Sequence, residues 1–489
     1  MGIVIPYKKT EDKRVETKMV FSSLTFLCLF LPVVVGLHSL VKNGTARNAI
    51  LLISSLLFYA WGEPVWIVAM LFATAVNYVC ARIIAGASTS GGRKLALAVG
   101  ILISLAALLY FKYAAFLVNN VCSLAGLSYR MTQPKLPIGI SFYTFQIITY
   151  TVDVYRGKAP LQKNPLWLLL YVSLFPQLIA GPIVRYIDVA SAIEDRNVTA
   201  KGMGEGFFRF SLGLGKKVLL ANLCGEVLSS LPAPAEMSFF SSWVATALFS
   251  LQIYFDFAGY SDMAIGLGRM LGFRFLENFD APFISKSVSE FWRRWHMSLG
   301  TFFREYVYIP LGGNRVSKGR WILNMAVVWG LTGIWHGANW NFLIWGLYYG
   351  LLLVLERTLL EKPLERTPGF LRHILVLLIT LVGFVFFRNE SFADIGLQLR
   401  AMFAPWRVPL SDPYAVYAVK NNPPLLIACV ICSLPLRKWA EGWFKRRREA
   451  GKRNTLRPYI KTLVALGITA LSVMFLVGQS FNPFLYFRF

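Results

Sequence analysis

Long stretches without a charged side chain recur along this sequence and limit what the chain can fold into. The longest covers 35 residues, from 321 to 355, and contains no Asp, Glu, Lys or Arg. Crossing a bilayer takes about 20 apolar residues, and the bilayer core offers no water to backbone N–H and C=O groups, so such stretches are expected to be helices. Comparable stretches occur at 19–41, 64–81, 95–111, 136–152, 164–184, 237–255 and 462–487.

Composition also indicates a membrane protein. Hydrophobic residues make up 56% of the sequence and aromatic residues 15%, and the mean hydropathy of +0.53 is well above that of soluble proteins. Shorter or charge-interrupted candidates occur at 48–62, 207–225, 373–387 and 421–436. We therefore predict an all-α polytopic membrane protein with about 11 to 13 transmembrane and re-entrant helices.

The sequence predicts one domain after a short leader. Residues 19–489 show no soluble insertion, low-complexity linker or obvious internal repeat, so they are expected to form a single membrane domain. Residues 1–18 are polar and mixed in charge, and they lack the arrangement of a signal peptide. We expect this leader to be disordered or to reflect an upstream start codon.

The formal net charge of +25 has two possible explanations. In a soluble protein it would suggest a nucleic-acid partner. Here Lys and Arg lie between apolar segments, which favours the excess of positive charge that is typical of cytoplasmic loops, and no nucleic-acid partner is expected. The densest basic cluster, at 437–461, is predicted to be cytoplasmic, so that the last apolar segment runs outward.

Six cysteines are scattered over the sequence without a cluster of histidines or acids beside them. Two of them have the CxxC spacing, but no second ligand pair accompanies them, so neither a metal site nor a disulfide is predicted. All six are expected to be small buried hydrophobic residues: Cys28, Cys80, Cys122, Cys224, Cys429 and Cys432.

Two carboxylates, Asp256 and Asp262, lie in or next to an apolar segment. A charge at membrane depth needs a partner. The preferred interpretation is structural, either an ion pair with an arginine such as Arg269 or the capping of a helix end. A direct catalytic part is the alternative.

Residues 291–305 combine aromatic and basic side chains. At about 100° per residue, one helix face would carry Trp292, Trp295, His296, Leu299 and Phe303, and the other Arg293, Arg294, Met297, Thr301 and Arg304. One interpretation is an interfacial helix whose arginines meet lipid phosphates, with His296 as a bystander. The other is a phosphate-binding face near a reaction centre, where Arg293, Arg294 and Arg304 bind the pyrophosphate of an acyl donor. Spacing alone favours neither.

His336 lies near the middle of the longest charge-free stretch, where a titratable ring is costly. It could be a hydrogen-bond partner inside the helix bundle or a catalytic group. Gly333 and Gly337 would permit close backbone approach, and a neutral imidazole could act as a general base near neutral pH. No serine or cysteine adjoins either histidine in sequence, which favours direct attack by an acceptor hydroxyl.

These motifs resemble those of the bacterial membrane-bound O-acyltransferase family and are most similar to its alginate O-acetyltransferase branch. Several long motifs in a fixed order carry the resemblance, which covers nearly everything after residue 18. The segments are 19–23, 137–157, 175–186, 252–262, 291–315, 331–345 and 481–489.

The resemblance implies a ring of tilted helices around a central funnel, with His336 matching the histidine at its narrow centre and His296 matching the second family histidine. It implies acetyl transfer from a cytoplasmic donor, expected to be acetyl-CoA, to hydroxyls of an extracytoplasmic polysaccharide such as alginate, directly or through a periplasmic partner. His336 is then the expected general base, assisted by His296. The implied location is the bacterial cytoplasmic (inner) membrane, and no bound cofactor or metal is expected.

Other functions stay open at this point. Within the enzyme class they are peptidoglycan O-acetylation and D-alanyl transfer to teichoic acid. A transporter or flippase would also contain intramembrane polar residues and broken helices, and a scaffold subunit of an exporter would share the hydropathy. The aromatic surroundings of both histidines, together with the family resemblance, favour an enzyme.

Overall fold

The computed structural model describes residues 19–179, 181–450, 457–478 and 485. Within this part of the chain the regular structure is helical throughout, which confirms the predicted all-α class. The expected leader, 1–18, lies outside the described residues.

The helices are short to medium in length and follow one another through brief loops. In the first part they are α1 (Leu31–Leu40), α2 (Gly44–Gly62), α3 (Ile67–Gly86), α4 (Ser90–Leu108), α5 (Ala114–Leu124), α6 (Ile140–Tyr155), α7 (Pro165–Ser173), α8 (Phe175–Leu178) and α9 (Tyr186–Glu194). The central helices are α10 (Ala200–Gly215), α11 (Leu223–Ser229), α12 (Phe239–Met270), α13 (Val288–Arg294), α14 (Met297–Phe303), α15 (Lys318–His336) and α16 (Trp340–Leu355). The last group is α17 (Glu361–Arg366), α18 (Gly369–Arg388), α19 (Phe392–Phe403), α20 (Pro413–Asn421), α21 (Pro423–Ser433), α22 (Leu436–Glu449) and α23 (Arg457–Gly478).

Five helical stretches among the described residues are long and apolar enough to cross a bilayer. They are Ile67–Gly86, Ser90–Leu124, Trp340–Arg366, Gly369–Arg388 and Pro458–Gly478. A sixth candidate, α20 with α21, is bent by 70°. Other expected segments form shorter or more polar helices. Such helices are stable at membrane depth because neighbouring helices, rather than lipid, surround their polar groups.

Helix α12 illustrates this point. It is 32 residues long, and most of its side chains are buried, including Gln252, Asp256 and Asp262. By contrast, α3, α4 and α23 expose large apolar side chains such as Phe72, Leu102 and Leu463. In a bilayer these exposed side chains face lipid tails, whereas α12 is enclosed by protein.

Buried apolar side chains form two large clusters that meet near the centre of the molecule. The first includes Phe145, Phe302 and Trp335, and the second includes Trp295 and Trp345. His336 contacts both, with ring centroids 5.0 Å from Trp335 and 4.8 Å from Trp345. The junction of the two clusters is therefore where the intramembrane histidine lies.

Several helices contain π-helical turns, each of which adds a residue to the turn and rotates the side chains that follow. One of them, Leu109–Tyr113, contacts the end of α15, which carries His336. Another, Arg304–Tyr308, directly follows α14, which begins after His296. The first joins α4 to α5 within the continuous Ser90–Leu124 stretch.

The prediction that all six cysteines are buried is wrong for Cys28, which is exposed, and Cys432 is only partly buried. A small apolar side chain is as stable against lipid as inside the protein, so hydropathy does not distinguish the two positions. Cys224 and Cys429 lie 3.5 Å apart between their Sγ atoms, and both are free thiols.

Helices α10 and α12 cross with their backbones in close contact at glycines. A Cβ on Gly213 would lie 2.5 Å from the carbonyl oxygen of Gly259 and 2.6 Å from the backbone nitrogen of Met263. Since both obstacles are backbone atoms, they cannot move without separating the helices. The crossing therefore depends on the absence of a side chain.

We predict that Gly213→Ala destabilises the detergent-solubilised protein by about 1–3 kcal/mol, the usual range for overpacking. Thermal unfolding followed by size-exclusion chromatography measures the change. Gly204→Ala on the same helix is the matched control, because a Cβ there meets nothing within 4 Å. Equal stability of the two variants would contradict the proposed crossing.

Candidate active site

His336 is the last residue of α15 and is buried, with 6% of its surface exposed. Its Nδ1 lies 2.7 Å from the carbonyl oxygen of Thr332, one turn earlier. A carbonyl oxygen can only accept, so Nδ1 carries the proton of the neutral ring and Nε2 carries the lone pair. This tautomer suits a general base.

Close packing of α15 against α16 holds this helix end in place. A Cβ on Gly333 would lie 3.2 Å from the Cα of Gly346 and would collide with the carbonyl of Phe342. The close approach expected from Gly333 is therefore present. Gly337 ends α15 in an extended conformation, next to the ring of Phe342.

His296 lies at a break between α13 and α14, so the continuous helix predicted over this region is wrong. Its backbone is left-handed, with φ 46° and ψ 52°, a region that residues other than glycine seldom adopt. The break removes the common helical phase on which the aromatic and basic faces were assigned. It also turns the histidine ring, which is 2% exposed, into the protein.

Asn278 fixes the ring of His296. Its Oδ1 lies 3.3 Å from His296 Nδ1 and also accepts from the backbone N–H of Ser298 at 3.2 Å and from Ser298 Oγ at 2.9 Å. The backbone donor identifies this atom as the amide oxygen, so His296 Nδ1 donates to it. His296 Nε2 keeps its lone pair and has no hydrogen-bond partner among the residues that the structure describes.

Both histidines border one small cavity. Its volume is about 20 Å³, and its walls are mostly aromatic. The lining residues are Ile253, Asp256, Phe257, Trp295, His296, His336, Trp345, Phe384, Phe387 and Leu485. The structure thus brings together the two residues that the sequence selected separately.

A second cavity of about 160 Å³ adjoins His296. It is lined by Arg304, Tyr308 and Thr332 among others, together with Trp292 and Trp295. Trp295 and His296 border both spaces, so the larger cavity and the small one at His336 are neighbours at these two residues. The small cavity is about large enough for one water molecule.

The three arginines assigned to donor binding have different environments. Arg304 borders the second cavity and is 64% exposed, although its Nη2 lies 3.0 Å from Glu305. Arg293 is exposed on α13. Arg294 is held by Glu290 at 2.8 Å and Asp280 at 3.2 Å.

One of the two partners of Arg294, the Glu290 carboxyl group, is held in its ionised form. Partial burial alone would raise the pKa of the Glu290 carboxyl, but hydrogen bonds from the Lys286 N–H and from Arg294 hold that pKa below its ordinary value. Glu290 therefore stays ionised near neutral pH. Arg294 is consequently less available than Arg304 for an incoming phosphate.

The two carboxylates of α12 form ion pairs, as the structural interpretation predicted, but not with Arg269. Asp262 lies 2.6 Å from Arg209 and 2.7 Å from Lys216. Arg269 pairs instead with Glu205 at 2.9 Å. Sequence spacing identified the need for partners and not their identity, because the partners come from α10 and the π-helical turn beside it.

Asp256, unlike Asp262, borders the cavity of the two histidines. It forms a buried ion pair with Lys217 at 2.7 Å. Its Oδ2 also accepts the backbone N–H of Leu485 at 2.9 Å. These contacts satisfy a carboxylate beside the histidines without leaving it in apolar surroundings.

Sequence reasoning missed Asn278 and Lys112. Asn278 lies in a loop with no periodic pattern, and only the contact across chain segments shows its role. Lys112, which contacts the end of α15, had a visible signal, since it is the only charged residue between 95 and 129. No group of three or more His, Cys, Asp or Glu side chains suited to a metal occurs among the described residues.

Several known proteins are similar to this chain over most of its length. The family model described as MBOAT, membrane-bound O-acyltransferase family, matches residues 162–362, which include both histidines. A probable alginate O-acetylase AlgI of Azotobacter vinelandii is 38% identical, over 96% of this chain and 100% of that protein. Its counterpart in Pseudomonas aeruginosa is 41% identical, over 79% and 75%. A peptidoglycan O-acetyltransferase of Helicobacter pylori is 30% identical, over 96% and 98%.

The helical bundle and these similarities define a polytopic membrane enzyme that transfers acyl groups to oxygen. The chain belongs to the membrane-bound O-acyltransferase family.

We predict that Asn278→Ala lowers stability by about 1–3 kcal/mol, because it leaves buried donors without an acceptor. Acyltransferase activity should fall as well, since His296 loses the bond that orients its ring. Thermal unfolding and activity of the purified variant measure both effects. Ser298→Ala removes one side-chain donor to Asn278 and the acceptor of the Ile183 N–H, but it leaves the contact between Asn278 and His296 in place, so its effect on activity should be smaller. Wild-type behaviour of Asn278→Ala would remove it from the site.

Proposed function

We propose that this enzyme transfers an acetyl group from acetyl-CoA on the cytoplasmic side to hydroxyl groups of an extracytoplasmic polysaccharide such as alginate, directly or through a periplasmic partner protein. The observation that carries the proposal is the pair of buried histidines on one cavity, each with an unprotonated Nε2. Extensive similarity to proteins described as alginate O-acetylases supports the acetyl group and the polymer.

In this proposal His336 is the general base. Its Nε2 takes the proton of the acceptor hydroxyl while the hydroxyl oxygen attacks the thioester carbonyl carbon. The tetrahedral intermediate then collapses, the carbon–sulfur bond breaks, and the thiolate leaves and takes up the proton held by His336. The products are an acetyl ester and free thiol, and no covalent enzyme intermediate is needed.

The hydrogen-bond pattern favours acceptor orientation as the role of His296. Neutral His296 donates through Nδ1 to Asn278, so its Nε2 can accept a hydrogen bond but cannot donate one to a carbonyl oxygen. Of the two roles open to this residue, orienting a hydroxyl is therefore better supported than polarising the thioester. A hydroxyl has one proton, and His336 takes that of the reacting hydroxyl, so the hydroxyl held by His296 is a neighbouring one on the acceptor. Both histidines border the small cavity, so holding it there would bring the reacting hydroxyl to His336.

In this proposal the acyl donor binds at the second cavity. Arg304 borders that space, and a guanidinium fork suits the phosphates of a coenzyme A donor. Arg293 is exposed and free to contribute nearby, whereas Arg294 would have to exchange its bonds to Glu290 and Asp280. The proposal therefore ranks Arg304 first among the three.

The nearest alternative to this proposal differs from it in the polymer that accepts the acetyl group. The Helicobacter pylori relative bears the description peptidoglycan O-acetyltransferase, so peptidoglycan is the second candidate. Identity is higher with the proteins described as alginate O-acetylases, which favours the polysaccharide. D-alanyl transfer to teichoic acid and transport by a flippase are the remaining alternatives to test.

We predict that membrane vesicles containing the wild-type protein, with its cellular partners, transfer radiolabelled acetyl from acetyl-CoA to polymer. His336→Ala should reduce the rate by about 10²–10⁴-fold, the usual contribution of a general base. His373→Gln is the matched control, because His373 borders neither cavity and should leave the rate unchanged.

Three results would contradict the proposal. Wild-type activity in a stably folded His336→Ala protein would exclude it as the base. Movement of polymer without ester formation would indicate a transporter. Mass analysis of envelope polymers from cells with and without the gene would identify the ester, and acetylated peptidoglycan or D-alanylated teichoic acid would replace the proposed acceptor.

We further predict that Arg304→Ala raises the apparent KM for acetyl-CoA about tenfold, as expected when one charge-assisted contact of about 1.4 kcal/mol is lost. The rate at saturating donor should change much less. Arg304→Lys keeps the charge but loses the fork, and should give an intermediate KM. An unchanged dependence on donor concentration in Arg304→Ala would place the phosphates elsewhere.

A further inference from the structure

A buried lysine contacts the end of the helix that carries His336. Lys112 is 5% exposed and lies within a continuous helical stretch, Ser90–Leu124, that is apolar enough to cross a membrane. Its Nζ donates to the backbone carbonyl of Trp335 and, at 3.3 Å, to that of His336. A cation at this depth is costly, so its contacts need a reason.

These contacts bind backbone carbonyls that have no partner within α15, because the helix ends inside the protein. The last carbonyls of a helix have no partner within it, and together they form the negative end of the helix dipole. Here α15 ends at the buried His336, and Gly337 continues in an extended conformation. Lys112 supplies both hydrogen bonds and positive charge at this end. No carboxylate forms an ion pair with it in the part of the chain that the structure describes.

The neighbouring tyrosine extends the same contact. Tyr113 Oη donates to the carbonyl of Ile334 at 2.9 Å, so two consecutive residues bind the last three carbonyls of α15. Both residues belong to the π-helical turn Leu109–Tyr113, which brings their side chains to the same helix end. Gln133 Nε2 in turn donates to the carbonyls of Phe111 and Lys112, at 2.6 and 3.3 Å.

We propose that Lys112 is a positioning residue for His336, with Tyr113 as its auxiliary. It binds the backbone of the histidine, and that backbone sets where the imidazole lies. Lys112 borders neither of the two cavities, so it acts through the helix end and not on the reactants. The inference rests on the proposed role of His336 as the base. A base displaced by about 1 Å can lose about 10²-fold in rate.

The test compares four purified variants for kcat, KM and hydrogen exchange. Lys112→Met removes the donors and the charge at similar length. It should lower kcat at least about tenfold while changing KM for donor and acceptor by less than about twofold. Lys112→Arg keeps a cation with several donors and should recover most of the rate. Tyr113→Phe removes one bond and should fall between wild type and Lys112→Met.

The matched control is Lys94→Met, which removes an exposed lysine from the same helical stretch, Ser90–Leu124. It should match the wild type. Hydrogen exchange of the amides around 334–338 should be faster in Lys112→Met than in the control, while exchange elsewhere stays the same. This second measurement does not depend on which residue is the base.

The outcomes separate the two proposals. Active His336→Ala would overturn the role of the base, while local exchange in Lys112→Met would still test the anchoring of α15. Equal kcat and exchange in Lys112→Met and Lys94→Met would overturn the anchoring. A uniform rise in exchange, or a KM change as large as the kcat change, would indicate a general structural role and overturn the positioning. If Lys112→Met does not fold, Tyr113→Phe takes its place, and equal kcat and exchange in Tyr113→Phe and Lys94→Met would overturn the positioning.

Discussion

Backbone hydrogen bonding away from water is the constraint on which the rest of this structure depends. A helix satisfies its own backbone groups except at its ends, and a chain enclosed by lipid and protein must supply partners wherever a helix stops. Both histidines lie at such places. His336 ends α15, where Lys112 and Tyr113 bind the last carbonyls, and His296 interrupts α13 and α14, where Asn278 binds both a side chain and the backbone. The two histidines proposed to act in catalysis thus occupy positions where the backbone needs partners from elsewhere in the chain.

The same constraint explains how charges are arranged around the centre. Asp256 and Asp262 lie on the long central helix, and each is paired with lysine or arginine from the segment packed beside it. That segment approaches closely because glycines line the crossing of α10 and α12. Close backbone packing and buried ion pairs are therefore parts of one arrangement. The outer helices of the protein, in contrast, expose apolar side chains, and which apolar residue occupies an exposed position matters little for packing.

The sequence predicted the class of fold because hydropathy is a property of short windows, and local motifs selected the two histidines that the structure brings to one cavity. It did not predict the break at His296, since the helical periodicity of the aromatic and basic residues runs through it and no proline or glycine occurs between 288 and 299. Asn278 and the partners of Asp256 were missed because they are determined by contacts between distant segments. Lys112 is different. A lone charge in an apolar stretch was visible in the sequence and indicated a buried partner, although not which one.

The left-handed backbone of His296 has a consequence for how this protein can change. A residue with a side chain in that conformation costs on the order of 1–3 kcal/mol, and glycine or asparagine would adopt it more easily. Random substitution screened only for heat resistance would therefore favour loss of the imidazole. In the proposed mechanism His296 orients the acceptor, so selection for stability and selection for turnover would act in opposite directions at this one position.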